Sequence, residues 1–226
     1  MDKEQIIRRY VSIPTGVHVR EAEQGEEPGR TIEGYAIVFN TPSEPLWQDE
    51  DSEAREVIAP EAVTADFLNG QNIKMTMFHD NQLLLARSNK GKGTLSYTVD
   101  EKGVKFSFDA PNTSDGDKAL ELVRRGDISG CSFMFSTRYY DEDFVERTSK
   151  VAPNGCNKIT YRVKAVTGIY DFTLAADPYY QDTSVEAREF SDNLRKMQTE
   201  HAEPKEDNKK EQQIREMRAA AGKKMI

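Results

Sequence analysis

Cysteine is scarce in this chain of 226 residues: Cys131 and Cys156 are its only two. Two thiols cannot build a disulfide framework, and they suggest free cysteines in a reducing compartment. Histidine is nearly as rare, with His18, His79 and His201 alone. His18 and His201 lie in polar sequence toward the two ends, which leaves His79 as the candidate for imidazole chemistry in a folded core. No stretch of about 18 apolar residues occurs, so no membrane-spanning helix is expected. Met1-Asp2-Lys3-Glu4-Gln5 lacks the apolar centre of a secretory signal, so none is expected there. An excess of positive charge is also missing: 31 basic residues face 39 acidic ones, a net of −8. That balance argues against broad electrostatic binding to nucleic acid. Hydrophobic residues make up 37% and charged ones 31% of the chain, which fits one domain with polar extensions.

Composition divides the chain into three parts. Residues 1–29 are mostly polar and end in Gln24-Gly25-Glu26-Glu27-Pro28-Gly29, with Val17-His18-Val19-Arg20 as a candidate short strand. Residues 30–190 carry nearly all the aromatic and β-branched residues. Residues 191–226 hold no aromatic and many Lys, Glu and Gln, and read as a polar tail, helical or disordered.

The middle part reads as α+β, mainly β. Thr31 to Phe39 is a strand whose internal Gly34 suggests a bulge or a close approach. Pro42 to Ser52 reads as a polar loop holding Trp47, and Ala59-Pro60-Glu61-Ala62-Val63 as the start of a short helix to Leu68. Ile73 to Phe78 alternates at period 2 and delivers His79 at its end. Thr94–Val99 and Val104–Asp109 form a hairpin across Asp100 to Gly103. Ser114 or Asp115 caps a helix that Gly126 stops. Ile128–Tyr139, Ile159–Val163 and Gly168–Ala175 are further strands, with 141–158 left as a polar segment. Seven or more strands and two short helices suggest a β-barrel or sandwich with helices outside.

Three residues stand out as candidates for chemistry. Ser132 lies in a strand where period 2 groups Gly130, Ser132, Met134 and Ser136 on one face and Cys131, Phe133 and Phe135 on the other. A serine hydroxyl needs a base to attack at neutral pH, and His79 is the imidazole at hand. Asp171 is an acid inside the apolar run Gly168-Ile169-Tyr170-Asp171-Phe172-Thr173-Leu174, costly there unless exposed or paired. It is the candidate third member of a Ser–His–Asp arrangement. Each also has a plain structural reading: His79 as a strand-end surface histidine, Ser132 as a buried serine bonded to backbone, Asp171 on the wet face of its strand. Cys131, Cys156 and His79 match no closed zinc spacing, and no metal or other cofactor is expected.

Five separated segments together resemble the tailed-phage prohead (capsid maturation) proteases of the HK97 type, which are similar in fold to herpesvirus assemblin. They are Ile32–Asn40, Glu56–Val63, Met77-Phe78-His79-Asp80, Leu122–Phe133 and Ile169–Leu174, covering residues 30–188 in order. Departures from the family pattern are Glu61 and Met134 where glycine is frequent, Asp171 where Glu is usual, and Ala175-Ala176-Asp177-Pro178 where Pro-Ala-Asn is usual. Met134 shares the face of Ser132 and would narrow a cleft there. The resemblance implies an assemblin-like β-barrel with short helices packed outside. It implies a serine endopeptidase with Ser132 as nucleophile, His79 as general base and Asp171 as third member. The substrates it implies are the scaffold portion of the capsid protein and the protease itself, inside the prohead in the host cytoplasm. A homodimer is implied by the assemblin relatives; nucleic acid and membrane are not expected as partners. A catalytically inactive capsid scaffold or assembly chaperone that keeps the protease fold is the alternative.

Overall fold

Strands dominate because β-branched and aromatic residues alternate with polar ones through most of the middle of the chain. The computed structural model describes residues 5–10, 16–21 and 29–176. The expected tail, 191–226, lies outside the described residues. In chain order the first elements are β1 (Gln5–Tyr10), β2 (His18–Val19), β3 (Thr31–Val38), β4 (Trp47–Gln48) and β5 (Ser52–Ile58). Then come α1 (Ala65–Asn69), β6 (Asn72–Met77), β7 (Asp80–Asn89), β8 (Lys92–Gly93), β9 (Leu95–Val99) and β10 (Gly103–Asp109). The last are α2 (Ser114–Arg124), β11 (Gly130–Thr137), β12 (Val145–Val151), β13 (Asn157–Val163) and β14 (Gly168–Ala175).

The strands form a six-stranded sheet ordered β1-β11-β14-β6-β7-β8 and two four-stranded sheets, β2-β3-β10-β9 and β12-β13-β5-β4. Mainly β is therefore the fold class. The hydrogen-bonded ladders close no barrel among the described residues; each sheet ends in a two-sided edge rather than joining its own first strand. Both β1 and β2 come from the N-terminal polar segment, and each joins a sheet.

Local chemistry sets the helices. The segment expected as one helix from Ala59 to Leu68 breaks in two. Pro60–Ala62 makes a single 3-10 turn, the β-branched Val63 and Thr64 are extended, and the Thr64 hydroxyl caps α1 through the Phe67 amide at 3.2 Å. Thr113, one residue before the expected cap, accepts from the Gly116 amide at 3.2 Å and starts α2. Gly126 follows with φ +79, the left-handed conformation that ends helices.

The core lies on the apolar faces of the large sheet and of β3 and β10. Ile73, Met75 and Met77 of β6, Phe172 and Leu174 of β14, and Cys131, Phe133 and Phe135 of β11 are all buried. Phe133 and Phe135 stack at 5.3 Å between ring centroids. Each of these Ile, Met, Leu and Phe side chains contributes about 1.5–3 kcal/mol by leaving water.

Register decides what the opposite face presents. In the antiparallel pair β11·β14, Ser132 is opposite Thr173 and Met134 is opposite Asp171. In the parallel pair β14·β6, Thr173 is opposite Thr76. Cross-strand neighbours share a face, so Ser132, Thr173 and Thr76 form one row and Asp171 belongs to the next.

Candidate active site

That row of polar residues is buried: Ser132, Thr173 and Thr76 have no exposed surface, and Asp171 is 3% exposed. Uncompensated, such burial would cost several kcal/mol. The groups instead satisfy one another. Asp171 and Thr173 thus do not lie on a wet face of β14, which was the plain reading of that strand.

His79 reaches the row through an unusual turn. Met77 pairs with Asp80, so Phe78 and His79 alone connect β6 to β7. Both have φ +56, as the two-residue hairpin turn with matching twist requires. Asn-Gly normally fills such a turn, because a bulky residue at positive φ is strained. The Phe78 amide donates to the Leu174 carbonyl at 3.2 Å and the His79 amide donates to Thr173 Oγ1 at 2.9 Å. These bonds hold the turn against β14. Bulges between Met75 and Thr76, between Thr76 and Met77, and between Met134 and Phe135 lie beside it. Such irregularities re-aim side chains.

The imidazole consequently folds back over the sheet. Its Nε2 is 2.8 Å from Ser132 Oγ and its Nδ1 is 2.8 Å from Asp171 Oδ1. A carboxylate only accepts, so Nδ1 carries the hydrogen and the Nε2 lone pair accepts from the Ser132 hydroxyl. The side chains of His79 and Asp171 are 6% and 4% exposed, so this ion-pair geometry is shielded from bulk water. Asp171 Oδ2 lies 2.8 Å from Thr76 Oγ1, which is 2.9 Å from Thr173 Oγ1. All three residues singled out in the sequence therefore meet. Thr76 and Thr173 were not singled out as candidates; their signal was a polar β-branched residue between apolar neighbours, Met75 and Met77 in β6 and Phe172 and Leu174 in β14.

The neighbours are chemically quiet. Cys131 points away from the row and is buried; burial first, and the nearby Asp171 charge second, push its thiol far above its ordinary range. It is no competing nucleophile, because reactivity belongs to the thiolate. Cys156 lies in the turn between β12 and β13 of a different sheet, so the two thiols are not joined with His79 in a metal site. Among the described residues no group of three or more His, Cys, Asp or Glu side chains is placed to hold a metal ion. Met134 is the one residue of β11 that is not fully buried.

A hydroxyl, an imidazole and a carboxylate in hydrogen-bonded series can transfer an acyl group: the first attacks, the second moves the proton, the third fixes the second. The family model described as caudovirus prohead serine protease matches residues 16–198. The chain belongs to that family. Family membership makes it a hydrolase of the serine protease class that serves phage capsid maturation. The match begins before the span expected from the sequence and runs beyond it, taking in β2 and part of the tail. Among solved structures, the bacteriophage T4 capsid assembly protease, gp21, is similar at 11% identity and a TM-score of 0.40, covering 74% of this chain and 98% of that one. No curated protein matches.

Proposed function

We propose that this prohead protease is a serine endopeptidase in which Ser132 is the nucleophile, His79 the general base and acid, and Asp171 the third member. It cleaves the scaffold portion of the capsid protein, and itself, during prohead maturation inside the host cytoplasm. The observation that carries this reading is the unbroken series Ser132 Oγ, His79 Nε2, His79 Nδ1, Asp171 Oδ1, with 2.8 Å at each hydrogen bond.

The geometry supports the following sequence of steps. Ser132 Oγ attacks the scissile carbonyl carbon as its proton passes to His79 Nε2. The C–N bond then breaks, and His79 returns that proton to the leaving amine. Water takes the place of the amine, gives a proton to His79, and attacks the ester. The C–O bond to Ser132 breaks and the hydroxyl is restored. Asp171 holds the Nδ1–H tautomer throughout and faces the imidazolium while it lasts.

In this reading residues 30–190 are the protease domain, and the tail, 191–226, is a targeting or scaffold-binding segment. A second copy of the chain is the expected partner besides the capsid protein, with no role for nucleic acid. Among the described residues no helix is long and apolar enough to cross a membrane.

The test is intact mass spectrometry of wild type and Ser132→Ala, each produced with its own capsid protein. Shortened capsid protein and a trimmed protease only with wild type are expected. Full-length products in both, with capsids still assembling, would transfer the role to an inactive scaffold. Identical trimming in both would assign the cleavage to a host protease.

A further inference from the structure

Four hydrogen bonds link two atoms of the same residue, the backbone nitrogen of His79 and its Nδ1, through three other side chains. Donor counting fixes their direction. The His79 amide can only donate, so Thr173 Oγ1 accepts from it at 2.9 Å. The Asp171 carboxylate can only accept, so the one hydrogen of Thr76 goes to Oδ2 at 2.8 Å. Thr76 has no second hydrogen to give. Across the 2.9 Å to Thr173 Oγ1, Thr76 therefore accepts and Thr173 donates. Three hydrogens then run from the His79 amide through Thr173 and Thr76 to Asp171 Oδ2, and the ring closes from the other side where Asp171 Oδ1 accepts from Nδ1–H, so that both arms start on His79 and converge on the carboxylate. None of these groups competes with water, since the threonines are fully buried and Asp171 nearly so.

We propose that Thr76 and Thr173 are positioning residues that lock the strained turn and the tautomer of His79 through this ring. The ring does two things at once. At its amide end it anchors a histidine held at φ +56, a conformation that this residue type adopts at a cost. At its carboxylate end it engages Asp171 Oδ2, which orients the carboxylate so that Oδ1 faces the imidazole. Without Thr76, Asp171 gains a free oxygen and a second rotamer becomes available to it. Without the Thr173 hydroxyl, the His79 amide loses the hydrogen bond that ties it to β14. The same two threonines lie opposite each other in the parallel pair that joins β6 to β14, so the strand register that assembles the triad also builds its support.

The inference rests on the proteolytic reading for its consequence but not for its geometry, and two measurements on the full-length chain separate these. The first is nitrogen-15 NMR of histidine-labelled protein. A slowly exchanging proton on Nδ1 of one histidine is expected, identified as His79 by its loss in His79→Gln. In Thr76→Val and in Thr173→Val that signal broadens or disappears, and in Thr76→Ser and Thr173→Ser it returns. The second is the rate at which a fluorophosphonate labels Ser132. Labelling slows on the order of 100-fold in either valine variant, the scale that misplacing a catalytic group by about 1 Å produces. It recovers in the serine variants. The double valine variant is slower by less than the product of the two single effects, because the threonines share the bond between them. Where a valine variant does not fold, cysteine at the same position, a donor too weak to close the ring, takes its place. An unchanged Nδ1–H signal and labelling within twofold of wild type in both valine variants would overturn the proposal. So would serine variants as slow as valine ones, since that would make the methyl group and not the hydroxyl the active part. A wild type that never reacts with the fluorophosphonate would overturn the proteolytic reading alone and leave the NMR test standing.

Discussion

Phe78 and His79 occupy a turn that neither residue type favours. Of the two, only His79 has a reason in the chemistry, and Phe78 is 46% exposed, so its ring contributes little burial to offset its backbone. Asparagine tolerates the left-handed region far better. Phe78→Asn is expected to raise stability by about 1 kcal/mol, the lower end of what such a conformation costs. Thermal unfolding measures this, and a melting temperature below that of wild type would show that the phenylalanine ring holds the turn. The same residues mark a limit of the sequence. His79 was legible as the end of an alternating strand, but the hairpin it sits in was not, because Phe-His carries no turn signal. A site that needs a strained conformation replaces the very residues by which a turn is recognised.

At the scale of the element, glycine shows the same tension between local preference and close approach. Gly116 is buried in α2, where alanine would ordinarily be the better residue by about 1 kcal/mol. A Cβ there would meet the Pro111 carbonyl oxygen at 2.0 Å, and backbone does not give way cheaply. Gly116→Ala should therefore destabilise the protein by about 1–3 kcal/mol, as overpacking does. A denaturant midpoint equal to or above that of wild type would contradict this. Gly34 behaves as its place inside a strand suggested: a Cβ would lie 2.9 Å from both Cα and Cγ2 of Val17, the close approach that lets β2 lie against β3. Strands with one face in the core were legible, and β14 spans Gly168–Ala175 as its apolar run implied. β12 was not, since after Val145 every residue to Val151 is exposed; it is held by its ladder to β13, and no alternation marks it. β5 carries no reading as a strand in the sequence, and β7 begins with Asp80, Asn81 and Gln82, which resemble loop.

The whole molecule depends on joining distant parts of the chain. Glu33 on β3 receives Arg20 at 2.6 Å, His18 at 3.2 Å and Lys105 at 3.5 Å, tying the segment around β2 to its sheet. The Arg20 hydrogen bond above all, with help from Lys105 and against partial burial, holds the Glu33 carboxyl below its ordinary value. A depressed folded value means the contribution is present above the unfolded one, about 4.3, and is lost as pH falls through the folded one. Glu33→Gln should thus lower stability by less than about 1 kcal/mol at pH 7, and the gap to wild type should close in acid. A gap that stays constant down to pH 3 would mean that packing, not charge, is what the substitution removes. The three candidate residues were legible one by one because they are unusual where they stand: an acid and a serine in apolar strands, and a histidine at the end of one. Their meeting was not, because it requires knowing that β14 lies between β11 and β6, a parallel crossover that no local pattern announces.

That strand order also sets a clock. β11, which carries Ser132, and β6, which leads into His79, are not neighbours; β14, which carries Asp171, separates them, and it is the last of the described strands along the chain. While the chain is still emerging from the ribosome, residues 72–137 are complete long before β14 can insert between them. Non-local insertions of this kind are the slow steps of folding. An unfinished or truncated chain therefore holds serine and histidine on strands with nothing to join them. Asp171 is thus the last of the three residues to reach the site, and a chain that stops short of β14 cannot assemble the hydrogen-bonded series.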